Sequence, residues 1–98
     1  MGLLVELRER YEITSNRESG FGRYDVMMEP KSEMDPAIIL EFKVFNKRHE
    51  KSLEDTLAAA LRQIEEKKYE AVFVTKGIPA NRIRKYGFAF EGKKVLIG

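Results

Sequence analysis

The sequence contains no cysteine, which excludes disulfide frameworks, thiolate zinc sites and cysteine nucleophiles together and fits a reducing compartment. Long apolar runs are missing too. Stretches such as Ala37-Ile38-Ile39-Leu40 and Ala71-Val72-Phe73-Val74 fall far short of the roughly 20 apolar residues that cross a bilayer. The opening Met1-Gly2-Leu3-Leu4-Val5-Glu6 has neither the basic flank nor the apolar core of a signal peptide. A cytoplasmic protein without a membrane partner is expected. Histidine is reduced to one, His49, and its setting in Lys47-Arg48-His49-Glu50-Lys51 reads as a basic loop with no catalytic part.

What is present suits one small globular domain over residues 1–98. Hydrophobic residues make up 43% and charged residues 35%, which sets the chain apart from disordered ones. A domain this small buries a thin core, so a homodimer is a reasonable expectation. The net charge of +2 conceals a division. Residues 67–98 carry eight basic and two acidic side chains, whereas residues 1–66 carry 10 basic and 14 acidic ones. A phosphate-holding surface beside a carboxylate cluster would have this distribution, and so would a solvated lysine-rich surface.

Leu3, Leu4 and Leu7, with charges between them, predict a short amphipathic helix. Tyr11 to Thr14 alternates as a strand, and Ser15 to Gly22 is turn-rich. A second strand is expected over Tyr24 to Glu29, closed by Pro30, and its Met27-Met28 pair reads as packing. Ala37 to Phe45 is a third strand, apolar apart from two charges. Ser52 with Asp55 three residues later forms a capping box, and Leu53, Leu57, Leu61 and Ile64 then make one helical stripe. Ala58, Ala59 and Ala60 favour helix and permit close approach to a sheet. Ala71 to Thr75 reads as a fourth strand, and Phe88 to Ile97 as a closing hairpin turning at Glu91-Gly92. The pattern predicts an α/β fold with a mixed β-sheet flanked by helices.

Glu41 and Lys43 are the anomaly in this pattern. Side chains two apart on a strand share a face, so two charges emerge together from an apolar strand and each needs a partner or a metal. Asp25 lies on the neighbouring strand, after Gly20 and Gly22, where the backbone can turn sharply. If the strands pair, Asp25 and Glu41 converge with Lys43 beside them. Two carboxylates supply hard oxygens for Mg2+, and a metal beside an ammonium suits phosphodiester hydrolysis. An ordinary cross-strand ion pair is the other reading of Glu41 and Lys43.

The run Ser15-Asn16-Arg17-Glu18-Ser19-Gly20-Phe21-Gly22-Arg23-Tyr24-Asp25 resembles the active-site hairpin of PD-(D/E)XK nuclease-like domains. Within that superfamily it resembles the C-terminal domain of AAA-ATPase-like proteins of anaerobic bacteria. It continues through Ile38-Ile39-Leu40-Glu41-Phe42-Lys43, Ala60-Leu61-Arg62-Gln63-Ile64, Lys67-Lys68-Tyr69, and Tyr86-Gly87-Phe88-Ala89-Phe90 with Gly92-Lys93-Lys94-Val95. The resemblance implies a restriction-endonuclease-like core and a Mg2+-dependent (or Mn2+-dependent) endonuclease with DNA as substrate. Asp25 and Glu41 would bind the metal with the backbone carbonyl of Phe42. Lys43 would position water, Gln63 would support the site, and Tyr69 would have a secondary part. Glu18, Ser19 and Arg23 become candidates for metal or phosphate contact. Lys67, Lys68, Arg82, Arg84 and Lys85 become candidates for the nucleic-acid backbone. Tyr24 stands where the family's naming proline would be. Related domains begin with a longer helix, some placing a further carboxylate on it, so this chain is expected to start partway through that helix, with Glu6 or Glu9 as substitutes. The alternative function is a catalytically inactive module of the same fold that binds nucleic acid or an ATPase partner.

Overall fold

The computed structural model of the chain describes residues 8–18 and 23–98. The helix expected from Leu3 lies mostly outside them, but residues 8–10 are helical. Five strands follow in the sheet: β1 (Tyr11–Glu18), β2 (Arg23–Pro30), β3 (Ala37–Val44), β4 (Ile83–Glu91) and β5 (Lys94–Ile97). Helices α1 (Leu53–Glu66) and α2 (Tyr69–Thr75) lie between β3 and β4. The strands stand in sequence order in space. Only β3 and β4 run parallel. A parallel pair needs a long crossover, and α1 and α2 supply it.

Helix α1 starts where the capping residue predicts, with Ser52 Oγ accepting from Asp55 N–H at 3.3 Å. Asp55 returns a bond to the backbone N–H of Lys51 at 2.9 Å. The helix is rotated from the expected leucine stripe: Thr56, Ala60 and Ile64 are buried, and Leu57 and Leu61 are only half-buried. Small side chains at the centre let the helix lie close to the sheet. Gly87 in β4 gives that approach its room, because a Cβ there would stand 3.0 Å from Leu57 Cδ1 and 3.2 Å from Leu61 Cδ2.

The segment Ala71 to Thr75, expected as a strand, is helical and belongs to α2. Its β-branched residues favour a strand, but tertiary packing decides otherwise. As a helix the segment places Tyr69 and Phe73 four residues apart on one face, with Phe73 in the core and Val72 and Val74 exposed. The core gathers Ala37, Ile39, Ile64, Phe73 and Ile83, with Met27, Leu61, Tyr69 and Ile78 packed against it. On the other sheet face Tyr24, Phe42 and Phe88 stack in turn, with ring centroids 4.5 and 4.8 Å apart.

Candidate active site

Register and alternation build this site. Strands β2 and β3 pair antiparallel with Asp25 opposite Glu41 and Arg23 opposite Lys43. The period of two turns all four side chains to the helical face of the sheet. Asp25 and Glu41 are both fully buried. Two carboxylates are thus held side by side away from water, an arrangement that needs compensation from cations and donors.

Asp25 receives it from three elements. Asn16, its register partner on β1, donates from Nδ2 to Oδ1 at 3.2 Å. The Tyr69 hydroxyl, at the start of α2, donates to Oδ2. Lys67, in the turn between the helices, brings Nζ to 3.3 Å from the same oxygen. Burial first, and the bond to the Asp25 carboxylate next, push the Tyr69 phenol up to about 12. Its proton is kept because ionising it beside that carboxylate would set two negative charges in contact.

Arg23 and Lys43 face each other as like charges, which is unfavourable unless each turns to an acceptor. Arg23 Nη1 donates to Gln63 Oε1 of α1 at 2.7 Å. The Lys43 ammonium forms an ion pair with Glu50, and both side chains are nearly buried. Glu50 is anchored in turn, with Oε1 accepting from Asn46 N–H at 2.8 Å and from the buried Thr56 hydroxyl at 2.9 Å. Burial would raise the Glu50 carboxyl, but the bonds from Lys43, Asn46 and Thr56 together outweigh it and hold it below the usual carboxylate range. A cleft of about 590 Å³ opens over these groups, lined by Arg23, Lys43, Asn46, His49, Glu50 and Arg62, among others.

The structure therefore brings Asp25, Glu41, Lys43, Arg23 and Gln63 to one place. Phe42 lies between Glu41 and Lys43 with its ring on the opposite face, stacked on Tyr24 and Phe88. Glu18 ends β1 in register with Arg23, and Ser19 and Glu6 are outside the described residues; Glu9 is exposed. The five basic residues named for the nucleic-acid backbone are dispersed. Lys67 is at Asp25, and Lys68 is exposed in a left-handed conformation, φ 55°. Arg82 donates to the carbonyl of Asp35. Arg84 is exposed on the aromatic side of the sheet, while Lys85 is on the helical side, paired with Glu65 at 3.0 Å. Sequence reasoning missed Asn16, Glu50 and Thr56 as parts of the site. Only the β1–β2 register, which sets Asn16 opposite Asp25, brings the first of them to the site.

A family model described as the PD-(D/E)XK nuclease superfamily matches residues 1–98, and the chain belongs to that superfamily. No curated protein matches it, and no solved structure does. Nucleases of this superfamily generally use divalent metal ions. The donor set fits such an ion in kind. Asp25 and Glu41 carry hard carboxylate oxygens of the kind Mg2+ takes, and that ion keeps several waters of its own. Among the described residues no group of three or more His, Cys, Asp or Glu gathers as a metal cluster. No helix among them is long and apolar enough to cross a membrane.

Proposed function

We propose that this chain is a Mg2+-dependent (or Mn2+-dependent) endonuclease that hydrolyses phosphodiester bonds of DNA. The observation behind this reading is the buried pair Asp25 and Glu41, directly opposite on adjacent strands, with Lys43 one step further on the same face. Asp25, Glu41 and the Phe42 carbonyl would hold the ion. When bound, it supplies Lewis acidity and a water of lowered pKa. The chain's own residues do the rest. Lys43 orients the attacking water and offsets the charge that grows on the phosphate. Gln63 fixes the Arg23 guanidinium, and Arg23 with Arg62 in the cleft takes phosphates flanking the scissile one. The reading includes a homodimer, which analytical ultracentrifugation tests, and attachment to an ATPase partner.

The test is cleavage of labelled duplex, branched and single-stranded DNA with Mn2+, with Lys43→Ala in parallel. The expected outcome is cutting by the wild type and a loss of about a hundredfold or more in the variant, the scale for removing one transition-state donor. Equal cutting by both proteins would refute the role given to Lys43. A second reading, a catalytically inactive module of this fold that binds nucleic acid or an ATPase partner, has one observation in its favour. Both oxygens of Asp25 are already engaged by Asn16, Tyr69 and Lys67. Calorimetric titration with Mn2+ separates the two, since an active site binds the ion and loses it on Asp25→Ala.

A further inference from the structure

Glu50 is the acidic residue that no motif pointed to, and it is among the best-held side chains of the molecule. It follows a tight turn in which the N–H groups of His49 and Glu50 both donate to the Asn46 carbonyl, at 3.1 and 2.9 Å. Arg48 N–H donates to Asn46 Oδ1 at 3.0 Å. The turn therefore fixes where the Glu50 backbone stands. Its carboxylate is then divided by function: Oε1 takes the two bonds from Asn46 N–H and Thr56 Oγ1, and Oε2 takes the Lys43 ammonium. The Lys43 and Glu50 side chains are 12% and 8% exposed. Thr56, wholly buried on α1, ties the arrangement to the helix that covers the sheet.

A lysine is a poor positioning device by itself. Its four-carbon stem turns freely about several bonds, and its ammonium is a point charge without a fixed fork. Holding one of its three N–H donors leaves two with a defined direction. We propose that Glu50 is a positioning residue for Lys43: a carboxylate anchored to the Asn46 turn and to α1 that holds the lysine ammonium at the mouth of the carboxylate pair. This rests on the nuclease reading for its consequence in catalysis, while the grip on Lys43 stands apart from it.

The experiment has two arms, both using the whole chain. In the first, the Lys43 ammonium is observed in a nitrogen-15 NMR spectrum, assigned through the peak lost in Lys43→Arg. A held ammonium exchanges slowly enough to be seen in the wild type, and its peak is expected to vanish in Glu50→Gln. That substitution keeps an oxygen to accept from Asn46 and Thr56 and removes the negative charge. Persistence of the peak with unchanged shift would overturn the proposal whether or not the protein cuts DNA. In the second arm, Glu50→Gln is expected to lower kcat about tenfold with KM little changed, and to cost nothing further in a Lys43→Ala background. An equal loss in both backgrounds, or a loss in KM alone, would refute action through Lys43. Thr56→Val, which leaves the charge in place, should give a smaller loss of the same kind and guards against a folding defect in Glu50→Gln. A wild type that cuts nothing but shows the held ammonium sinks the nuclease reading and leaves the grip standing.

Discussion

Asp25 is balanced by groups from β1, from the turn after α1 and from the start of α2. Two consequences can be measured. Tyr69, raised to about 12 from an ordinary 10.0, binds its proton more tightly in the folded protein than in the unfolded chain. Its contribution to stability is therefore complete below about pH 10 and lost as pH rises towards 12. Ultraviolet titration should show a tyrosine ionising near 12 that is absent from Tyr69→Phe. In the proposed site, Lys67, 3.3 Å from Asp25 Oδ2, would compete with a divalent ion for that carboxylate. Lys67→Met should tighten Mn2+ several-fold in calorimetric titration, the expectation for deleting a nearby like charge; unchanged affinity would show that the lysine does not compete. Glu41 and Lys43 were legible as candidates because charges on an apolar strand conflict with their surroundings, and Asp25 as a carboxylate on the neighbouring strand. Asn16, Glu50 and Thr56 were not, since a polar residue in a loop, a strand or a helix raises no such conflict. Only the register and the helix rotation reveal what each touches.

The first three strands, the closing hairpin and the main helix were readable as elements, but β1 runs on through Ser15 to Glu18, which read as turn-rich, and β4 begins at Ile83, ahead of the expected Phe88. Ser52 announces α1 by its side-chain oxygen, and Ser52→Ala should lower stability by about 1 kcal/mol in chemical denaturation, the usual value of a cap. Rotation about the helix axis was harder to read. The leucines pointed to one orientation, but Thr56 and Ala60 occupy the centre, because a small seam and a hydroxyl bonded to Glu50 outweigh the larger side chains. Gly87 completes that seam from the sheet side, with Leu57 and Leu61 against it. Gly87→Val should overfill it and cost about 1–3 kcal/mol. The segment Ala71 to Thr75 read as a strand because it is a short run rich in apolar and β-branched residues; an alternating strand would set Ala71, Phe73 and Thr75 on one face, whereas the helix turns Tyr69 and Phe73 to the core and leaves Val72 and Val74 aside. Those two valines are exposed, so the core voted through the two aromatics alone.

At the scale of the molecule, the sheet is an antiparallel hairpin array with one parallel seam between β3 and β4. The basic residues of the C-terminal third are divided between sheet faces, helix partners and Asp25. A summed charge says nothing about the side on which each residue emerges. The same topology sets an order of assembly. Hairpin contacts close short loops, whereas the parallel seam must wait for the crossover to be drawn in. Asp25 and Glu41 therefore meet early, in the β2–β3 hairpin, and Lys67 arrives later from a point 42 residues further along the chain. Until it does, the two carboxylic side chains stand opposite each other without that ammonium, so dissolved Mg2+ is expected to speed refolding in stopped-flow mixing, and an unchanged rate would refute this order of assembly.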